Sequence, residues 1–118
     1  KGKPQLKKVF AATDCGVVIN QSGARNQVFG AIVDGFGHAM FGNLKFKDGK
    51  PEETNYDKYR LIRYNEVPEI EVHILAEGGK VKGVGEPGLP PFAPALANAI
   101  FAATGKRMRT MPFDIGKI

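Results

Sequence analysis

The fold is decided by one stretch of sequence, Glu69-Ile70-Glu71-Val72-His73-Ile74-Leu75. Apolar residues alternate with polar ones along it, and a period of two predicts a strand with one buried face. The buried face would carry Ile70, Val72 and Ile74, and the opposite face Glu71 and His73. Gly78-Gly79 ends the pattern, because paired glycines favour a turn or a loop.

Helical patterns lie on both sides of this strand. Apolar residues recur at helical spacing over residues 24–41, and Ser22, in the turn Asn20–Gly23, is the expected N-cap. Residues 91–104 are rich in alanine, with prolines only in the first turn, and Gly105 follows as a helix-ending residue. The sequence therefore predicts two main helices.

Further strands are expected at residues 8–13, 44–47 and 107–113. Asp48-Gly49 favours a hairpin turn after the second of these. Strands placed before, between and after two helices predict an α+β fold, an α/β sandwich. We expect a mixed sheet of about 4–5 strands packed against the two helices.

The composition fits one small domain. The chain has 118 residues, of which 42% are hydrophobic, and we expect residues 1–118 to form a single domain with 1–7 as a loose tail. No apolar run approaches the roughly 18 residues of a membrane span. The net charge of +5 comes largely from basic residues near the two ends, without a basic stripe interleaved with aromatics, which disfavours nucleic-acid binding.

The segment most suggestive of chemistry is Gly83-Val84-Gly85-Glu86-Pro87-Gly88. Two glycines allow the backbone to approach a ligand, and Pro87 restricts Glu86 to extended geometry. A carboxylate presented from a stiff, narrow loop between a strand and a helix suits a general base. An ordinary turn with an exposed glutamate is the alternative reading of these residues.

Three other positions could take part in a site. Gln27 lies in the first turns of a glycine-rich helix, where its amide could bind an oxo group or a phosphate, or simply face solvent. Gly30, Gly35 and Gly37 in that helix indicate close packing, against either the sheet or a ligand. Cys15, the single cysteine, has no histidine near it in sequence, so a buried inert thiol is expected.

Taken in order, these segments resemble the end of the large subunit of the molybdenum hydroxylases, the xanthine dehydrogenase and aldehyde oxidase family. The stretch Asn55–Arg60 followed by Val67–Val72 is most similar to the isoquinoline 1-oxidoreductase β-subunit branch. The motifs that carry the resemblance are Asp14-Cys15-Gly16-Val17-Val18-Ile19-Asn20, Gln27-Val28-Phe29-Gly30, Gly35-Phe36-Gly37, Gly83–Gly88 and Ala97-Asn98-Ala99-Ile100 with Ala103–Arg107.

The resemblance implies roles for four residues. Glu86 corresponds to the family's catalytic glutamate, which takes a proton from the oxygen nucleophile that attacks the substrate carbon. Gln27, Val84 and Gly85 correspond to positions that contact the molybdopterin cofactor. In this family no protein side chain ligates the metal, so no metal-ligating residue is expected here. The implied reaction is hydroxylation of N-heterocycles or aldehydes with oxygen derived from water.

The resemblance also implies missing parts. The family's large subunit is several times longer, and iron–sulfur clusters reside in a partner subunit or domain. We therefore expect this chain to be a C-terminal portion of a molybdopterin-cofactor-binding domain, partnered by the rest of that subunit and by an iron–sulfur subunit, and inactive alone. A stand-alone, non-catalytic binding domain derived from the same fold is the alternative. The compartment stays open between cytoplasm and periplasm.

Overall fold

The computed structural model describes residues 3–118 of the chain. These residues contain two α-helices, four strands and the loops that connect them. In chain order, the elements are β1 (Lys8–Asp14), α1 (Gln21–Phe41), β2 (Phe46–Lys47), β3 (Lys50–Pro51), β4 (Glu69–Leu75) and α2 (Phe92–Thr104), with short 3₁₀ helices at Tyr64–Glu66 and Ile115–Lys117. No helix within these residues is long and apolar enough to cross a membrane.

β1 and β4 lie side by side as a parallel pair. Their register runs from Lys8 opposite Glu69 to Asp14 opposite Leu75, so both strands end at the same edge of the sheet. The inner face packs against the helices through Val9, Ala11, Ile70, Val72 and Ile74, which confirms the predicted apolar face of β4.

The core lies between this sheet and the two helices. Its buried members are Val28, Ile32, Ala39, Phe92, Leu96, Ile100 and Phe113. Gly35 lets the helices approach closely, because a Cβ atom there would lie 2.9 Å from the Cβ of Phe92. Helix packing thus explains Gly35, whereas the Cβ position of Gly30 has no atom within 4 Å.

The start of α1 and the end of α2 both have recognisable capping residues, but the cap of α1 is not the one predicted. α1 begins at Gln21 and its N-cap is Asn20, so the prediction of Ser22 was wrong. The Asn20 side chain accepts a hydrogen bond from the Gly23 amide at 2.8 Å and so satisfies an otherwise unpaired donor. The cap therefore lies two residues earlier than expected. α2 ends as predicted at Thr104, with Gly105 in the left-handed region at φ 74°.

The α+β class with two main helices is confirmed, but the single mixed sheet of four to five strands is wrong. Within residues 3–118, β2 and β3 pair only with each other around Asp48 and Gly49, forming a separate antiparallel hairpin. The predicted strand at 107–113 does not form. That segment packs against the helices instead, where Phe113 is buried and its amide donates to the carbonyl of Ala39 at 2.7 Å.

Candidate functional site

The glycine-rich loop leaves the C-terminal end of β4 and leads into α2. Its last turn is closed by the Leu89 amide, which donates to the Glu86 carbonyl at 2.9 Å, and by the Phe92 amide, which donates to the Leu89 carbonyl at 3.2 Å. Glu86 itself is exposed. Its carboxylate is therefore carried on an ordered turn at the surface of the described chain.

The end of the loop lies directly on α1. A Cβ atom at Gly88 would lie 2.9 Å from the Cβ of Ala31 and 3.4 Å from the carbonyl oxygen of Val28. The 2.9 Å separation is too short for a real Cβ atom, so glycine is favoured by the close approach of the loop to the Ala31 side chain. The loop thereby meets the helix at the turn that begins beside Gln27.

Gln27 is exposed and immediately precedes the buried Val28 in α1. The structure therefore brings the element that carries Gln27 and the loop that carries Glu86 into contact. A cavity of about 230 Å³ opens beside this contact and is lined by Val28, Pro87 and Gly88 together with residues of β1 and α2. Gln27 and Glu86 are not among its lining residues.

The middle of the loop has space around it. The Cβ positions of Gly83 and Gly85 have no atom within 4 Å, and Val84 between them is half-buried. The open space beside these two glycines leaves room for a ligand to approach the backbone closely.

The start of the loop is tied to the end of β1. The Lys82 amide donates to the Cys15 carbonyl at 3.1 Å, and the Lys82 ammonium lies 3.0 Å from the Asp14 carboxylate. The same carboxylate accepts a hydrogen bond from the Gly16 amide at 2.9 Å. The Gly16 amide and the Lys82 ammonium together lower the pKa of Asp14 from its usual 3.8.

These contacts were missed by sequence reasoning. Asp14 and Lys82 are 68 residues apart, and neither belongs to a local pattern that would pair them. The sequence signal that could have found them is the glycine two residues after the end of a strand, Gly16, which the structure places at φ 71°.

The remaining candidates have simpler roles. Cys15 is buried, with 4% of its surface exposed, as expected for a structural thiol. His73 lies 2.7 Å from Glu71 on the outer face of β4, and His38 lies 3.6 Å from Asp34 on α1. Among residues 3–118, no three His, Cys, Asp or Glu side chains come together as a set that could hold a metal ion.

The sequence matches a known family. The model of the molybdopterin cofactor-binding domain matches residues 1–68, which is more than half of the chain. The chain therefore belongs to the molybdopterin cofactor-binding domain family. The matched residues include β1 and the whole of α1 with Gln27, and they end before β4 and the Glu86 loop.

Individual relatives extend the similarity over almost the whole chain. The chain is 36% identical over 94% of its length to a protein of Gluconacetobacter polyoxogenes named membrane-bound aldehyde dehydrogenase (pyrroloquinoline-quinone). It is 33% identical over 99% of its length to the aldehyde oxidoreductase molybdenum-binding subunit of Escherichia coli. The isoquinoline 1-oxidoreductase β subunit of Brevundimonas diminuta is 29% identical over 91% of the chain.

The chain spans only 14%, 17% and 14% of these three relatives. Among solved structures, quinoline 2-oxidoreductase from Pseudomonas putida 86 matches with a TM-score of 0.81 and 24% identity, covering 96% of this chain and 16% of that one. The fold is therefore that of a small part of a large subunit. The relatives bear out the wider molybdenum hydroxylase family, while the identities do not single out the isoquinoline branch within it.

Proposed function

We propose that the chain forms one wall of the active site of a molybdopterin-dependent oxidoreductase, a hydroxylase that acts on N-heterocycles or aldehydes. The observation that carries this proposal is the seating of the Glu86 loop on α1, at the turn that begins beside Gln27. Two further findings support it. The chain belongs to the molybdopterin cofactor-binding domain family, and two of its relatives are named as subunits of an aldehyde oxidoreductase and of isoquinoline 1-oxidoreductase.

The protein's part in this reaction is positioning and proton transfer. The bound molybdenum cofactor would supply the redox chemistry. Glu86 acts as the general base that accepts a proton from the attacking oxygen nucleophile, and its exposure at the surface of the described chain leaves the carboxylate accessible for this role. The Gln27 amide donates a hydrogen bond to the cofactor, and Val84 and Gly85 pack against it.

The rest of the same subunit is the expected partner. Within residues 3–118, β1 and β4 pair only with each other, and Phe10 on their outer face is 69% exposed. Parallel sheets are normally covered on both faces, so further chain is needed to complete this one. An iron–sulfur subunit or domain would accept the electrons.

The proposal is tested by changing Glu86→Gln in the full-length protein that contains this chain. An amide keeps the size and shape of the side chain but does not accept a proton at neutral pH. We expect turnover to fall by at least about 10²–10⁴-fold, the usual contribution of a general base, while molybdenum content stays unchanged. The measurement is steady-state dye reduction with aldehydes, isoquinoline and xanthine.

Glu52→Gln is the matched control, because Glu52 is an exposed glutamate next to the β2–β3 hairpin. That variant should keep the parent's rate. A Glu86→Gln enzyme with full metal content and at least half the parent's rate would make Glu86 an ordinary turn residue.

A further inference from the structure

The parallel register of the sheet places the Asp14-Cys15-Gly16 motif where the Glu86 loop begins. Asp14 lies opposite Leu75, and both strands end there. The chain that leaves β4 then passes the end of β1 on its way to α1 and α2. The motif is thus in contact with the loop although it lies more than 60 residues before it.

Two contacts join the motif to Lys82, and a third lies within the motif. The carboxylate of Asp14 bridges the Gly16 amide and the Lys82 ammonium, and the Cys15 carbonyl accepts from the Lys82 amide. Asp14 therefore orders its own turn and holds the incoming segment with the same group. A charge-assisted hydrogen bond of this kind is stronger than a neutral one.

Gly16 makes the contact possible. Its φ of 71° lies in the left-handed region, and a Cβ atom there would lie 2.0 Å from the carbonyl oxygen of Lys80. No side chain fits at that separation, so Lys80 would have to move away. Gly49 has a similar φ of 74°, but its Cβ position has no atom within 4 Å. A neighbouring segment therefore excludes a side chain at Gly16 but not at Gly49.

Between its two fixed ends, the loop has open space beside its inner glycines. Lys82 is tied to β1 and Gly88 is seated on α1, whereas Gly83 and Gly85 have open space around them. Glycine has the largest backbone freedom of any residue, so the position of Glu86 depends on the fixed ends of the loop.

We propose that Asp14, Gly16 and Lys82 form a clamp that positions Glu86. These three are positioning residues, since they act on the carboxylate through the backbone of the loop. The inference rests on the proposed role of Glu86 and adds to it the residues that set its location. The low pKa of Asp14 is consistent with it, because the charge that binds Lys82 persists at neutral pH.

The first test uses the chain itself and amide hydrogen exchange. In Asp14→Asn, the ion pair to Lys82 is lost while an oxygen remains to accept from Gly16. We expect the amides of Lys82 and Leu89 to exchange about two- to fivefold faster, as for the loss of one solvent-exposed ion pair, while the Ile100 amide inside α2 is unchanged. Equal acceleration at all three amides, or none at Leu89, would contradict a clamp on the loop.

Gly16→Ala gives the stronger perturbation, and Gly49→Ala is its matched control at the same φ. Exchange at Leu89 should rise in the first and stay unchanged in the second. If Gly16→Ala does not fold, the Asp14→Asn comparison still decides the outcome.

The second test uses the full-length enzyme. Lys82→Met should lower kcat at least about tenfold with KM and molybdenum content unchanged, and Lys82→Arg, which keeps the charge, should restore most of the rate. If Glu86→Gln removes activity while Lys82→Met keeps kcat, the clamp is wrong and the proposed function stands. If Glu86→Gln itself keeps the parent's rate, the proposed function fails first.

Discussion

The loop 83–88 and the hairpin 46–51 are both glycine-containing turns, yet their contacts with the rest of the fold differ. In the described part of the chain the two strands of the hairpin pair only with each other, and every residue from 46 to 51 is exposed. The loop is fixed at one end to the end of β1 and at the other to α1. Their sequences alone look equally turn-like, so the difference comes from tertiary contacts.

Gly49 and Gly88 show the difference between a turn that is constrained by its own backbone conformation and one that is constrained by a neighbouring element. At Gly49 the positive φ alone favours glycine, as expected for a hairpin turn. At Gly88 the Val28–Ala31 turn of α1 excludes a side chain, although Gly88 is not in the left-handed region. Constraint by a neighbouring element is what a precisely held site requires.

The largest expected effect in this comparison is on stability. Gly88→Ala should lower the free energy of unfolding by about 1–3 kcal/mol, the usual cost of adding a methyl group to a filled contact. Gly49→Ala should change global unfolding by less than about 0.5 kcal/mol, because the exposed hairpin can relax or open locally. The measurement is urea unfolding followed by the helical circular dichroism signal. Equal effects of the two changes would contradict the tight seating of the loop.

A smaller effect is expected in the titration of Asp14. The Gly16 amide and the Lys82 ammonium hold the pKa of this carboxyl below 3.8 in the folded chain. Its contribution to stability is therefore present above pH 3.8 and is lost as the pH falls through the folded value. Lys82→Met should move the pKa of Asp14 upward, toward the ordinary value.

Carboxyl ¹³C shifts, followed from about pH 6 to about pH 2, measure this pKa directly. Lys117→Met is the control, because Lys117 pairs with Asp114 and not with Asp14. A pKa of Asp14 that is the same with and without Lys82 would show that the ion pair does not form in solution.

Local patterns predicted much of the fold. The alternation in β4 predicted that strand at its observed ends, and the alanine-rich segment with Gly105 predicted the end of α2 and its start to within one residue, because these signals act within a few residues. The prediction of Ser22 as the N-cap was wrong because the same turn contains a second capping residue, Asn20, whose side chain accepts a hydrogen bond from the Gly23 amide. The strand at 107–113 failed because burial of Phe113 against the helices outweighed its local tendency to extend.

The candidate site was predictable only in part. The glycine spacing around Glu86 and the resemblance to the molybdenum hydroxylases singled out the loop and Gln27. The contact between Gly88 and α1 and the pairing of Asp14 with Lys82 are long-range, and no period or motif encodes which partner a residue meets. These contacts required the three-dimensional structure.

The central claim, that Glu86 and Gln27 serve the same cofactor, is tested most directly by a structure of the full-length protein with its cofactor bound. The measured quantities are the distances from the Glu86 carboxylate and the Gln27 amide to the nearest cofactor or substrate atoms. We predict the amide within hydrogen-bonding distance of the cofactor, and the carboxylate at the reacting centre on the same side of the domain. A cofactor bound elsewhere, or the two side chains on opposite faces of the domain, would contradict the account.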